Sequence, residues 1–357
     1  MWLKDKVRDY LNDPQVSIFL VIVFVIFILI YFLGKYLVPV FTSIILAYIL
    51  EGIIGSLERL KIPRTVAVIL VFILFMTSLI FLFLWIIPIA IKQFSQFLQD
   101  LPGMIITWKS HINDLLQKYP NIISKIQLDT LISFMVDQIR TFGKSALSYS
   151  ISSIMGIVNF LIYIVLVPLI TFFLLKDKNA ILSYLRDLLP ENIEFTSKVW
   201  TEVNSKIAKF LQGKMWEIVI VWIVTYVFFI FIHLQFALLL SLFIALSVLI
   251  PFVGAIVMTV PVALVAYFQW GFSKGLVISI LGYSIIQFLD GNLLVPILMS
   301  GFVNLHPVAI MLGVIIFGGL WGLWGVFFAI PLLTLIHTII KTWPRNTKNY
   351  EEVKSEG

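Results

Sequence analysis

The chain contains no cysteine. Disulfides, thiolate metal sites and a cysteine nucleophile are therefore excluded, and the redox compartment is left open. Charge is scarce as well: Asp, Glu, Lys and Arg make up 12% of the 357 residues, against about a quarter in an ordinary soluble domain. The alternating apolar and polar runs of a transmembrane barrel are missing. So are the G-x-x-x-x-G-K-[ST] phosphate loop, the H-E-x-x-H zinc helix and the G-x-S-x-G nucleophile elbow. His111, His233, His306 and His337 stand too far apart in sequence to suggest a local metal site. Neither an enzyme nor a bound cofactor or metal is expected, and without a nucleotide site any pumping draws on ion gradients or is passive.

What fills the chain is hydrocarbon. Hydrophobic residues make up 61% of it and the mean hydropathy is +1.05, which define a polytopic membrane protein. The expected fold is all-α, with about eight transmembrane segments, two of them broken or re-entrant, and a small helical extracytoplasmic domain. The excess of basic residues fits cytoplasmic loops at an anionic membrane surface, not nucleic acid; the partner expected first is the lipid bilayer.

In chain order, residues 1–91 read as an interfacial helix, with Lys4, Lys6 and Arg8 beside Leu3, Val7 and Tyr10, followed by three spans. Val16 to Leu33 and the run from Lys35 to Leu50 are expected to form a helical hairpin. Residues 92–150 read as the extracytoplasmic domain, divided by Pro102, Gly103, Pro120 and Asn121 into roughly three amphipathic helices. Residues 151–215 give a span followed by basic amphipathic helices. Phe195, Val199, Val203, Ile207 and Leu211 recur every four residues there, and Glu202 and Lys206 make an i,i+4 pair on another face. Lys214 is counted with the cytoplasmic lysines, and its pairing with Glu217 is read as a surface contact. Residues 216–343 form the C-terminal transport core, and 344–357 a basic cytoplasmic tail. Both termini are placed in the cytoplasm.

Two apolar stretches in that core are too long for straight spans. Phe236 to Trp270 must break near Pro251, Gly254 and Pro261, as a kinked helix or a re-entrant hairpin. His306 to Ile340 has Gly318, Gly319, Gly322 and Gly325 at its middle, then Pro331. Close helix packing is the favoured role of these glycines, with a hinge as the alternative. Between the two stretches stands Asp290. A central carboxylate is disfavoured in a membrane by about 2.5 to 3.5 kcal/mol, so it normally faces a partner, a cavity or a permeation path. The candidate transport or cation-binding set is Asp290 with Gln287 and Asn292, the breaker Pro251 and Gly254, and His306 as a titratable loop residue. For each there is a plainer role: Asp290 as a packing hydrogen bond, Pro251 as a kink, His306 as a helix cap.

An ordered series of features is similar to the autoinducer-2 exporter family of bacterial permeases. It comprises Leu175, Lys176 and Asp177; Phe210 to Gly213; Pro251 to Gly254; Gln287 to Asn292; Pro296; Gly301; Leu305, His306 and Pro307; and the glycines from Gly318 to Gly325 leading to Ala329, Ile330 and Pro331. Where many members have an acidic residue directly followed by Asn, this chain has Asp290, Gly291, Asn292. The resemblance implies about eight spans, an outer helical domain, a homo-oligomer (a pentamer), and export of a small polar solute such as autoinducer-2. It equally implies Na⁺(Li⁺)/H⁺ antiport as the alternative. A membrane scaffold that binds partners and moves nothing is the alternative from another class.

Overall fold

The computed structural model describes residues 14–118, 141, 154–187, 194–251, 253–299 and 306–342. All regular structure among them is helical. Helices α1 (Pro14–Arg59), α2 (Arg64–Phe81) and α3 (Ile87–Lys118) come first, with a π-helical turn, Leu82–Ile86, joining α2 to α3. Then follow α4 (Ile154–Lys176), α5 (Lys178–Asp187), α6 (Glu194–Phe231), α7 (Ala237–Ser247) and α8 (Val253–Trp270). Helix α9 (Lys274–Leu289) runs through a second π turn, Asp290–Leu294, into α10 (Val295–Leu298), and α11 (Pro307–Thr342) closes the series.

Five helical stretches among the described residues are long and apolar enough to cross a membrane: Tyr36–Arg59, Arg64–Thr107, Val199–Phe231, Val253–Trp270 and Lys274–Leu298. Large apolar side chains such as Ile73, Leu74, Ile256 and Val260 point outward, as they do where the solvent is lipid. The protein is an all-α polytopic membrane protein.

Three expected breaks are absent. The hairpin expected between Val16 and Leu50 is a single helix of 46 residues with Pro39 inside it, about 69 Å long. A reversal needs non-helical backbone; among the described residues the first with positive φ lies beyond it, at Lys61 with φ 66°. Pro102 and Gly103 do not divide α3, which runs on to Lys118, because Leu101, Met104 and Ile105 are buried and packing overrides the local cost of one proline. The amphipathic stretch after residue 194 is continuous with the following span as α6. The Pro120–Asn121 division and the interfacial helix at residues 2–12 lie outside the described residues.

The chain forms two compact units, and each is described by itself. The first comprises Met1–Ile69, Leu166–Gln212 and Gly301–Gly357. In it the buried hydroxyls of Ser43 and Thr171 join α1 to α4: Ser43 Oγ donates to the Val167 carbonyl at 3.1 Å and Thr171 Oγ1 to the Ser43 carbonyl at 3.4 Å. Tyr48 of α1 donates to Asn204 Oδ1 of α6, and Gln212 Nε2 donates back to the Tyr48 carbonyl at 2.9 Å. Val199, Val203 and Ile207 pack on Leu335 and Ile339 of α11. The Glu202–Lys206 pair is present, and Lys206 also donates to Thr338.

Within this unit α11 is a helical hairpin. Gly322 has φ 60° and ψ −137°, a backbone closed to side chains with a Cβ. The two arms meet so tightly that a Cβ on Gly325 would lie 1.7 Å from the Phe317 carbonyl oxygen, and one on Gly313 would lie 2.4 Å from Leu333 Cδ1. Gly318 faces Val326 at 2.9 Å, whereas Gly319 meets nothing within 4 Å. Pro331 is buried inside the second arm.

The second unit comprises Leu70–Val165 and Gly213–Ser300. Its core gathers Met104 of α3, Val221 and Phe229 of α6, Leu239 and Ile244 of α7, Val262 and Val265 of α8, and Tyr283 of α9. Helices α7 and α8 form the second hairpin. Its open end is tied by Gln269, whose Oε1 accepts from the Gln235 amide and whose Nε2 donates to the His233 carbonyl, both at 2.8 Å. Its tip needs glycine at 254, where a Cβ would fall 1.9 Å from the Ser247 carbonyl oxygen. Helix α7, of 11 residues, is about 16 Å long and reaches half of a hydrocarbon core of about 30 Å. No side chain of Phe236 caps α7; Gln93 of α3 supplies the acceptor, taking the Leu239 amide at 2.9 Å.

Candidate transport site

The second unit assembles its charged groups from two antiparallel segments. Phe228 of α6 lies against Gly282 of α9, where a Cβ would come within 2.0 Å of its ring. At the other end Gly213 lies against the Leu298 carbonyl, 3.2 Å from where its own Cβ would be. Between these close approaches, α6 carries Lys214 and Glu217, three residues apart on one face, and the α9 segment carries Tyr283, Gln287 and Asp290 at helical spacing.

Lys214 and Glu217 form an ion pair of 2.9 Å with side chains only 8% and 2% exposed. This corrects the reading of the pair as a surface contact, and of Lys214 as a cytoplasmic-loop lysine. The reason is the continuity of α6, which carries both residues into the packed interior. The Lys214 ammonium also donates to the Val248 carbonyl at 3.0 Å. Val248 ends α7, where carbonyls have no partner within the helix, and Pro251 has no N–H to offer.

Asp290 is buried, 9% exposed, at the first position of the π turn, a local widening that often marks functional sites. The Lys214 charge attracts Asp290, and Asp290 repels Glu217. The ammonium thus pairs directly with Glu217 and attracts Asp290 as a second carboxylate. One oxygen of each, Glu217 Oε2 and Asp290 Oδ1, has no hydrogen-bond partner among the described residues; the same holds for the buried Gln287 Nε2. Buried polar groups are normally satisfied; these three atoms are two strong acceptors and one donor left open. Tyr283 is 1% exposed and its hydroxyl donates to the Ala255 carbonyl at 2.7 Å.

The other candidates fall elsewhere. Asn292 is exposed, and its Nδ2 donates to the Phe288 carbonyl of its own helix at 2.9 Å. Pro251 lies in the turn between α7 and α8, next to the tip that Gly254 closes. His306, in the other unit, is exposed and its Nδ1 accepts the Val308 amide at 3.3 Å, a helix-capping contact. Among the described residues no group of three or more metal-ligating side chains converges.

A membrane-embedded helical unit with a broken hairpin beside buried, incompletely satisfied charges is the architecture of a membrane transporter. The chain matches the model of the AI-2E family transporter over residues 19–345, and it belongs to that family. It is 40% identical over 337 residues to PerM of Escherichia coli (strain K12), named as a permease, covering 94% of this chain and 96% of the relative. It is similar to the transport protein YueF of Bacillus subtilis (strain 168), at 28% identity over 85% of this chain and 83% of the relative. It is also similar to the AI-2 transport protein TqsA of Escherichia coli (strain K12), at 21% identity over 91% of each chain.

Proposed function

We propose that this protein is a permease of the bacterial plasma membrane that moves a small polar solute outward, with Lys214, Glu217, Gln287 and Asp290 lining its binding site. The observation that carries this reading is the set of buried atoms without partners: Glu217 Oε2 and Asp290 Oδ1 as acceptors and Gln287 Nε2 as a donor. A hydroxyl-rich solute donates to the first two and accepts from the third. Each such bond counts for more in a water-poor site than in water. The name of TqsA, an AI-2 transport protein, supports a solute of the autoinducer-2 kind. The basic segments at Arg59 to Arg64, Lys176 to Arg186 and the tail favour a cytoplasmic side for those ends.

One observation favours Na⁺(Li⁺)/H⁺ antiport as the second reading. One ammonium against two carboxylates leaves a negative charge that a proton or a monovalent cation would balance. Reconstituted vesicles separate the readings. Solute release without a sodium requirement supports the permease. Sodium-dependent proton flux with no movement across a panel of hydroxylated solutes supports the antiporter, and no flux of either kind removes both.

A further inference from the structure

The hairpin of α7 and α8 is held at its tip by two side chains from the segments that bear the carboxylates. Lys214 of α6 grips the Val248 carbonyl at the end of α7, and Tyr283 of α9 grips the Ala255 carbonyl in the first turn of α8. Tyr283 is neutral and its hold is independent of charge. Lys214 is different, because the ammonium that holds the hairpin is the one that neutralises Glu217 and attracts Asp290.

We propose that Lys214 is a latch that couples occupancy of the Glu217–Asp290 site to opening of the hairpin tip. This rests on the reading of the second unit as the transporting part. When a cation or a hydrogen-bond-donating solute takes over the carboxylates, the ammonium becomes a buried charge without a counter-ion, a costly state. It lowers that cost by moving towards water, and in moving it releases the Val248 carbonyl. The tip is left with Tyr283 alone. The groups that set the latch are those facing it: Glu217 on its own helix, Asp290 and Tyr283 on the α9 segment, and the Val248 carbonyl on α7.

The natural chain has no cysteine, so a single thiol reports the tip without background. Ile250→Cys in the full-length, detergent-purified protein is labelled with a thiol-reactive maleimide. Lys214→Met should speed labelling roughly tenfold, the shift in local opening expected for loss of one charge-assisted hydrogen bond. Glu217→Gln, which keeps the shape and removes the carboxylate in direct contact with the ammonium, should act in the same direction. Asp290→Asn, which leaves the Lys214–Glu217 contact intact, should not speed labelling, and Lys214→Arg should restore the slow rate. Equal labelling of the parent and Glu217→Gln, or faster labelling with Asp290→Asn alone, would overturn the latch. If Lys214→Met does not fold, Glu217→Gln against Asp290→Asn still decides the matter. Because labelling requires no substrate, failure of the latch is distinct from failure of the transport reading, which vesicle flux reports.

Discussion

Lys214 Nζ and Glu217 Oε1 lie 2.9 Å apart in the interior of the second unit, both on α6, with the Val248 carbonyl as the ammonium's second acceptor. A pair at this depth contributes little net stability, but removing one member leaves an uncompensated charge at a cost of about 3 to 5 kcal/mol. Lys214→Ala leaves two carboxylates facing each other, whereas Glu217→Ala leaves the ammonium with Asp290. The first variant should therefore unfold more readily than the second in a detergent denaturation series. The reverse order would mean that Asp290 does not share the Lys214 charge.

The glycines of α11 separate by geometry. Gly325→Ala drives a Cβ into the Phe317 carbonyl and Gly322→Ala forces a forbidden backbone; each should cost about 1 to 3 kcal/mol. Gly319→Ala meets nothing and should be neutral or slightly stabilising. Thermal aggregation curves of the three purified variants check the contrast.

Arg64 is the organising cation of the first unit. Its guanidinium makes two bonds to Glu51, at 3.1 and 3.0 Å, one to Glu58 at 3.2 Å, and one at 2.9 Å to the Leu175 carbonyl near the end of α4. Lys178 adds a bond of 2.8 Å to Glu51. Arg64→Lys keeps the charge and loses the fork. With both side chains about a quarter exposed, the expected loss is about 1 kcal/mol, measurable as a small shift in the same denaturation series.

Much of the fold was legible because it rests on length. Phe236 to Trp270 and His306 to Ile340 exceed one membrane crossing, and both fold back as hairpins, near Pro251 and Gly254 and at Gly322. What escaped reading depends on neighbours. Whether Pro39 or Pro102 ends a helix is decided by what packs around it, and no local pattern records that. Gly313 carries no local signal, because its role is a contact with Leu333, distant in sequence. Asp290 was visible as a carboxylate in hydrocarbon. The cation that attracts it was not, since Lys214 follows Lys206 and Lys209 and resembles the end of a basic loop. The available signal was charge balance: a buried Asp needs a cation, and Lys214 with Glu217 opens the apolar run of α6.

The most direct test of the account is solute flux from proteoliposomes carrying Asp290→Asn beside the wild type. Asparagine preserves shape and removes the charge that Lys214 attracts. The account predicts a variant that inserts and purifies like the wild type but whose flux falls to that of protein-free vesicles. Wild-type flux from a correctly inserted Asp290→Asn protein would contradict it.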